Sequence, residues 1–302
     1  MESPERLSPK EREDSMGPSS TIQTIRSVAK AVAFAASGLL VAFVLKVVLH
    51  VPLSKVEVSA IAFVVTTLCV LLLYPRLMKE PFGKVTVGDF VRRVGLAKPG
   101  KPVRFVLLGV LAAAFTLSGM LIGSMLTGKF VFSTAEITWG QAAFSLTPGI
   151  WEEVMFRGVV MLILLKHTGS FRKAAIIQIA VFGVAHIKGL DILSLVDAFS
   201  VGLLAIAFTY IAYKTRSLLP GIVFHYLHDT FIFFVQLPGG EFSGFRDNAL
   251  FFSALWIAIL VTVVCVKVVA ERLSIVSEYD FYGLQDGSRA TRQPVTPPVT
   301  SR

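Results

Sequence analysis

The chain has 302 residues, 54% of them hydrophobic and only 16% charged, with a mean hydropathy of +0.70. Soluble domains carry about 25% charged residues, so the composition excludes an ordinary soluble protein, and its apolar mass excludes a disordered one. The formal net charge of +9 reads as basic loops on the cytoplasmic face of a membrane, and no nucleic-acid partner is expected.

The opening stretch, MESPERLSPKEREDSMGPSS, is polar and mixed in charge and lacks the apolar core of a secretory signal. Residues 1–27 are expected to form a disordered cytoplasmic segment with no cleaved leader. Crossing roughly 30 Å of hydrocarbon takes about 20 helical residues. About eight apolar stretches approach that length, at 28–48, 58–74, 105–126, 137–165, 174–187, 192–213, 218–235 and 250–269. They predict an all-α, polytopic transmembrane helical bundle over residues 28–270. Cys69 and Cys265 lie inside two of these runs and read as small core residues. The Ser-, Thr- and Pro-rich end predicts a disordered tail over 271–302.

The loops alternate in charge. With the N-terminus inside, the inner segments hold Arg6, Lys10, Arg12 and Arg26, then a basic connector from Arg76 to Arg104. Lys166, Arg172 and Lys173 follow, then Lys214 and Arg216, then Arg272, Arg289, Arg292 and Arg302. The outer loops show only Lys55, Lys129, Lys188 and Arg246. This bias places both termini in the cytoplasm. In the connector, Phe82, Val85, Val87, Phe90 and Val91 are candidate contacts with the membrane interface.

Ionisable side chains inside hydrocarbon cost roughly 2.5–3.5 kcal/mol on insertion scales and default to function. Three clusters stand out. In the fourth stretch, Glu152, Glu153 and Arg157 follow Pro148 and Gly149, which are expected to interrupt the helix locally. Glu153 and Arg157 are spaced for an ion pair, and Glu152, about 100° around the helix, is left as a free proton acceptor. In the fifth, Phe182 and His186 share a face; alone, this histidine reads as an interhelical hydrogen-bonding residue. In the seventh, Pro220-Gly221 opens a helix on which His225 and Asp229 project to one side, with His228 three residues beyond His225. A histidine beside a carboxylate serves as a metal half-site, a proton relay or an oxyanion donor. Counted from the cytoplasmic ends, Glu152, His186 and His225 lie about 20, 18 and 10 Å deep, which predicts a shared polar chamber between spans four, five and seven.

Glu152-Glu153-x-x-x-Arg157, Phe182-x-x-x-His186 and His225-x-x-x-Asp229, in this order, resemble the motifs of the CAAX protease and bacteriocin-processing family, the type II CAAX prenyl endopeptidases. The resemblance covers about residues 138–235 and includes the run Lys214-Thr215-Arg216-Ser217-Leu218-Leu219-Pro220. Asp229 stands where the family often has Asn, and His228 is an additional histidine. The resemblance implies an intramembrane endopeptidase. Glu152 would be the general base on water and His186 would position or polarise that water. His225 and Asp229 would hold the oxyanion or contribute to a metal site, with Glu153 and Arg157 in support.

His186, His225 and Glu152 are the metal-ligand candidates, for Zn2+ or another divalent ion, although the His-Glu-x-x-His spacing of common zinc proteases is absent. A metal-free mechanism is equally compatible. An ionised Asp229 would repel an oxyanion, so it must be protonated, bind metal or orient His225. The expected partners are the lipid bilayer and a membrane-associated peptide or protein, prenylated or not. The expected location is the inner membrane of a bacterium or the endoplasmic reticulum of a eukaryote. A proton-coupled transporter or a non-catalytic membrane scaffold would use the same buried cluster differently.

Overall fold

The first helix begins below the apolar run that announces it. The computed structural model describes residues 18–79, 85–97, 100–128, 131–132, 134, 137–232, 235–236, 244–278 and 282. Helix α1 (Pro18–Phe43) extends into a π-helical turn at Val44–Val48. Helix α2 (Lys55–Leu77) is opened by a capping box between Ser54 and Glu57, which satisfies two of its free N–H groups. A second capping box, Thr86 with Asp89, starts the short α3 (Val87–Arg93). Hydrogen bonds from Thr86 and Arg92 hold the Asp89 carboxyl down at about 2.

Helix α4 (Pro102–Leu126) carries its proline in the first turn, where the missing N–H costs nothing. Helix α5 (Trp139–Glu153) passes into a π-helical segment, Val154–Val160, and continues as α6 (Met161–Thr168). Then come α7 (Phe171–Ala185), α8 (Ile192–Thr215), α9 (Leu219–Phe231) and α10 (Phe245–Arg272). A two-residue antiparallel ladder, β1 (Val131–Phe132) with β2 (Val235–Gln236), pairs Val131 with Gln236 and Phe132 with Val235. Among the described residues the fold is all-α apart from this ladder.

The helices pack in a circuit: α1 on α2, α2 on α5, α5 on α9, α9 on α4, α4 on α10, α10 on α8, α8 on α7 and α7 on α6. Because α6 continues α5 across the π turn, the circuit closes on the residues that carry Glu153 and Arg157. Lipid offers no hydrophobic drive between helices, so polar contacts and close packing must fix their register. Tyr74 Oη donates to the Ala31 carbonyl at 2.7 Å, tying α2 to α1. Thr116 meets Thr262 at 3.2 Å between α4 and α10. Trp256 Nε1 donates to Ser200 Oγ at 2.8 Å between α10 and α8, and Thr209 to Gln178 Oε1 at 2.9 Å between α8 and α7. The outer faces are apolar and open, as at Leu40, Leu72, Leu107 and Ile257, which suits lipid and not water.

By length and hydropathy, four helices among the described residues can cross a membrane: α2, α4, α8 and α10. A fifth span is added if Thr21–Gly38 and Leu40–Val48, bent by 43°, count together. These are the helices of an integral membrane protein, but the expected eight spans are not what they give. The difference lies in the polar clusters. Helices α7 and α9 have 15 and 13 residues, only about 20 Å at 1.5 Å each, and the α5–α6 stretch carries Glu152, Glu153 and Arg157 around its π turn.

Three further expectations change. Helix α5 runs unbroken through Pro148-Gly149, and the irregularity comes later, at Val154–Val160. Phe90 is fully buried against Tyr74, with ring centroids 6.0 Å apart, rather than facing the membrane surface; Phe82 lies outside the described residues. In the C-terminal stretch expected to be disordered, Ile275 and Tyr282 are buried and the Ser277 N–H donates to the Thr215 carbonyl at 2.8 Å. Residues 1–17, 279–281 and 283–302 are outside the described residues.

Candidate active site

Close approach of α5 and α9 creates the site. A Cβ on Gly149 would stand 3.0 Å from N, Cα and Cβ of Tyr226, so a larger residue would have to push α9 or Tyr226 aside by a few tenths of an ångström. One turn later on α5 come Glu152 and Glu153, and beside Tyr226 on α9 is His225. Gly221, in the first turn of α9, gives the Glu153 carboxylate its room: a Cβ there would be 3.2 Å from Glu153 Oε2. At the far end of α9, Gln141 Nε2 donates to the Asp229 carbonyl at 2.9 Å, satisfying an end carbonyl that the helix leaves unpaired.

Glu153 and Arg157 form the ion pair that their spacing predicts, Nη1 to Oε1 at 2.9 Å, with both side chains fully buried. The same carboxylate oxygen lies 2.9 Å from His225 Nδ1. A carboxylate held by Arg only accepts, so His225 presents Nδ1–H to it and turns Nε2 toward Glu152 and Asp229. The guanidinium is sandwiched between the rings of Phe182, 4.3 Å from its centroid, and Phe208, at 4.9 Å. Phe208 also stacks on the His225 ring at 4.8 Å with a 24° tilt. Arg157 Nη2 further reaches the Ala205 carbonyl at 3.5 Å.

His186, at the C-terminal cap of α7, has Nδ1 2.7 Å from the Phe182 carbonyl. A carbonyl cannot donate, so Nδ1 carries the proton and Nε2 points away, toward Glu152. Glu152 Oε2 lies 3.9 Å from His186 Nε2 and 3.9 Å from His225 Nε2. Among the described residues this buried oxygen has no hydrogen-bond partner. Asp229 bridges the two histidines of α9, with Oδ2 3.5 Å from His225 Nε2 and Oδ1 3.3 Å from His228 Nδ1. The side chains of Glu152, His186 and Asp229 are 27%, 29% and 29% exposed, whereas Glu153 and Arg157 are sealed. The site thus has an accessible face of Glu152, His186 and Asp229 over a buried charged floor.

The structure brings together all six candidate residues, Glu152, Glu153, Arg157, His186, His225 and Asp229, and adds His228. It also brings in α8, the sixth expected stretch, through Phe208 and Ala205, beyond the expected three spans. No local signal in the apolar run of α8 marks Phe208.

The metal candidates fit less well. Ligands about 2.1 Å from a tetrahedral ion stand about 3.4 Å apart, and the two histidine nitrogens are each 3.9 Å from Glu152. Among the described residues no group of three or more His, Cys, Asp or Glu is arranged to hold a metal ion.

No curated protein and no solved structure matches the chain. Residues 133–231 match the family model described as Type II CAAX prenyl endopeptidase Rce1-like. The segment that supplies every residue of this cluster is thus the one that the type II CAAX prenyl endopeptidase family model recognises, in agreement with the resemblance of its motifs.

Proposed function

We propose that the protein is a membrane-embedded endopeptidase that hydrolyses a peptide bond of a CAAX-type or related membrane substrate with water activated by Glu152. The observation that carries this reading is the position of Glu152 Oε2, buried and unpartnered, 3.9 Å from Nε2 of both His186 and His225. That separation is too long for a direct hydrogen bond and short enough for one water to bridge carboxylate and imidazole at about 2.8 Å each.

The chemistry follows from the partners. Glu152 takes a proton from the water as its oxygen bonds to the scissile carbonyl carbon and the carbonyl electron pair moves to oxygen. With Nδ1–H already committed, His225 or His186 steadies the resulting oxyanion as the imidazolium, which adds an N–H at Nε2. Collapse of the tetrahedral intermediate breaks the C–N bond, and the proton held by Glu152 passes to the leaving amine. Glu153, fixed by Arg157, holds His225 in one ring orientation. Asp229, between His225 and His228, orients that ring from the other side. The steps are written for these side chains alone, with no step routed through a metal.

Cleavage of a CAAX peptide in detergent by the full chain, compared with Glu152→Gln and His186→Ala, tests the proposal. Loss of cleavage in both variants is expected. Full activity in both overturns the mechanism. Comparing farnesylated and unmodified peptides then shows whether the lipid group is required.

A further inference from the structure

Beneath the site, a residue from the far end of the chain touches the charged floor. Tyr282 is 5% exposed, and its Oη donates to the backbone carbonyl of Arg157 at 2.8 Å. Its ring packs edge-on against Phe171, at the start of α7, with centroids 5.3 Å apart, and Phe171 in turn packs on Tyr213 of α8 at 4.7 Å. We infer that Tyr282 is a positioning residue for the Glu153–Arg157–His225 chain, and that the segment after α10 is a strap whose docking sets the geometry of the active site. This inference rests on the peptidase reading for its effect on rate and deepens it by naming what controls that site.

The strap is anchored at Leu273, Ile275 and Ser277. Arg104 Nη1 donates to the Leu273 carbonyl at 3.0 Å, and the Ile275 N–H donates to Ala270 at 2.9 Å with its side chain buried. The Ser277 N–H donates to the Thr215 carbonyl at 2.8 Å. This last contact lands on the final residue of α8, just before the turn into α9, where the Leu218 N–H donates to the Gly95 carbonyl at 2.9 Å. The chain therefore touches the end of α8, four residues before α9 begins, as well as the π turn, and α9 and the π turn carry His225 and Arg157.

The phenol acts where the helix is least regular. In the π-helical segment Val154–Val160, the usual ladder of carbonyl acceptors is displaced, and a donor from outside can fix the turn. Burial pushes the Tyr282 phenol up, so it remains a protonated donor. From the Arg157 backbone the path to the reacting groups is short. The guanidinium binds Glu153 Oε1 at 2.9 Å, and that oxygen binds His225 Nδ1 at 2.9 Å. A small rotation of the turn shifts Arg157 between Phe182 and Phe208 and moves His225 with it. Misplacement by about 1 Å costs on the order of a hundredfold in rate.

The test uses the full chain in detergent with Tyr282→Phe, which removes one oxygen and keeps the ring, and Tyr282→Ala. For each, kcat and KM on a CAAX peptide, Tm, and amide hydrogen exchange over residues 154–162 are measured. Tyr282→Phe is expected to lower kcat about tenfold with KM within about twofold, to speed exchange in the turn and to leave Tm nearly unchanged. Wild-type kcat and exchange in Tyr282→Phe overturn the proposal. So does a Tm loss in Tyr282→Ala with both readouts unchanged in Tyr282→Phe, which makes the contact packing alone. If the wild type shows no hydrolysis that Glu152→Gln abolishes, the peptidase reading fails, and exchange over 154–162 by itself decides the strap.

Discussion

His225 Nδ1 and Glu153 Oε1 stand 2.9 Å apart and join α9 to α5. The oxygen is shared with Arg157 Nη1, also at 2.9 Å, so the histidine is oriented by a carboxylate that is itself fixed. A carboxylate so held can set the ring without taking part in proton transfer. Adjacent Glu152 has different surroundings: its side chain is partly exposed, and whereas Glu153 is held through Oε1, Glu152 Oε2 stands 3.9 Å from either histidine. Neighbours in sequence, the two glutamates should fail in different ways.

Glu152→Gln is expected to reduce peptide cleavage by about 10²–10⁴-fold, the range for a general base, with Tm close to wild type. Glu153→Gln should lower both activity and Tm, because it leaves the buried Arg157 charge unpaired, a loss of about 3–5 kcal/mol. Parallel cleavage and thermal-melt measurements separate the two. Equal Tm losses in both variants would contradict the division of roles.

Arg157→Lys should behave as a disruptive change. The guanidinium carbon stands over the rings of Phe182 and Phe208 at 4.3 and 4.9 Å while the group donates to Glu153, a combination that an ammonium group cannot reproduce. The expected result is a fall in both Tm and kcat. The double variant Glu153→Gln/Arg157→Met should cost less in Tm than the two single changes summed, since neither charge is then orphaned. Additive losses would show that the pair is not coupled.

Gly149→Ala tests the helix approach that builds the site. The added methyl meets Tyr226 at 3.0 Å, and relieving it should cost about 1–3 kcal/mol and move Glu152 relative to His225. Cleavage should fall by about a hundredfold. Gly100→Ala, where nothing lies within 4 Å of the new atom, serves as the neutral control. Cleavage at the wild-type level by Gly149→Ala would remove close approach as the basis of the site.

The metal question has a direct readout. With His186 and His225 each 3.9 Å from Glu152, cleavage is expected to persist after dialysis against a strong divalent-metal chelator. Activity lost on chelation and restored by Zn2+ would show that the three residues close around an ion and would replace the metal-free route.

Much of the chemistry was legible along the chain because it depends on helical spacing. Glu153 with Arg157, Phe182 with His186 and His225 with Asp229 are four residues apart, and any helix puts such pairs on one face. Apolar runs against basic loops were enough for an all-α membrane protein. The span count was not legible, since hydropathy measures how apolar a stretch is and not where a helix stops, and α7 and α9 end short. Likewise, Pro148 looked like the break, yet α5 passes through it, and the π turn falls in Val-Met-Phe-Arg-Gly-Val-Val, which carries no proline.

What the order of residues settled alone was local: helices, their polar faces, and the identity of the ionisable groups. The tertiary structure decided which faces meet. It brought Phe208 against Arg157, Tyr226 against Gly149 and Tyr282 beneath the π turn. These contacts join segments many residues apart, and their energy comes from packing and hydrogen bonds that exist only once the helices are side by side. No periodicity within one segment can encode the neighbour that another segment will supply.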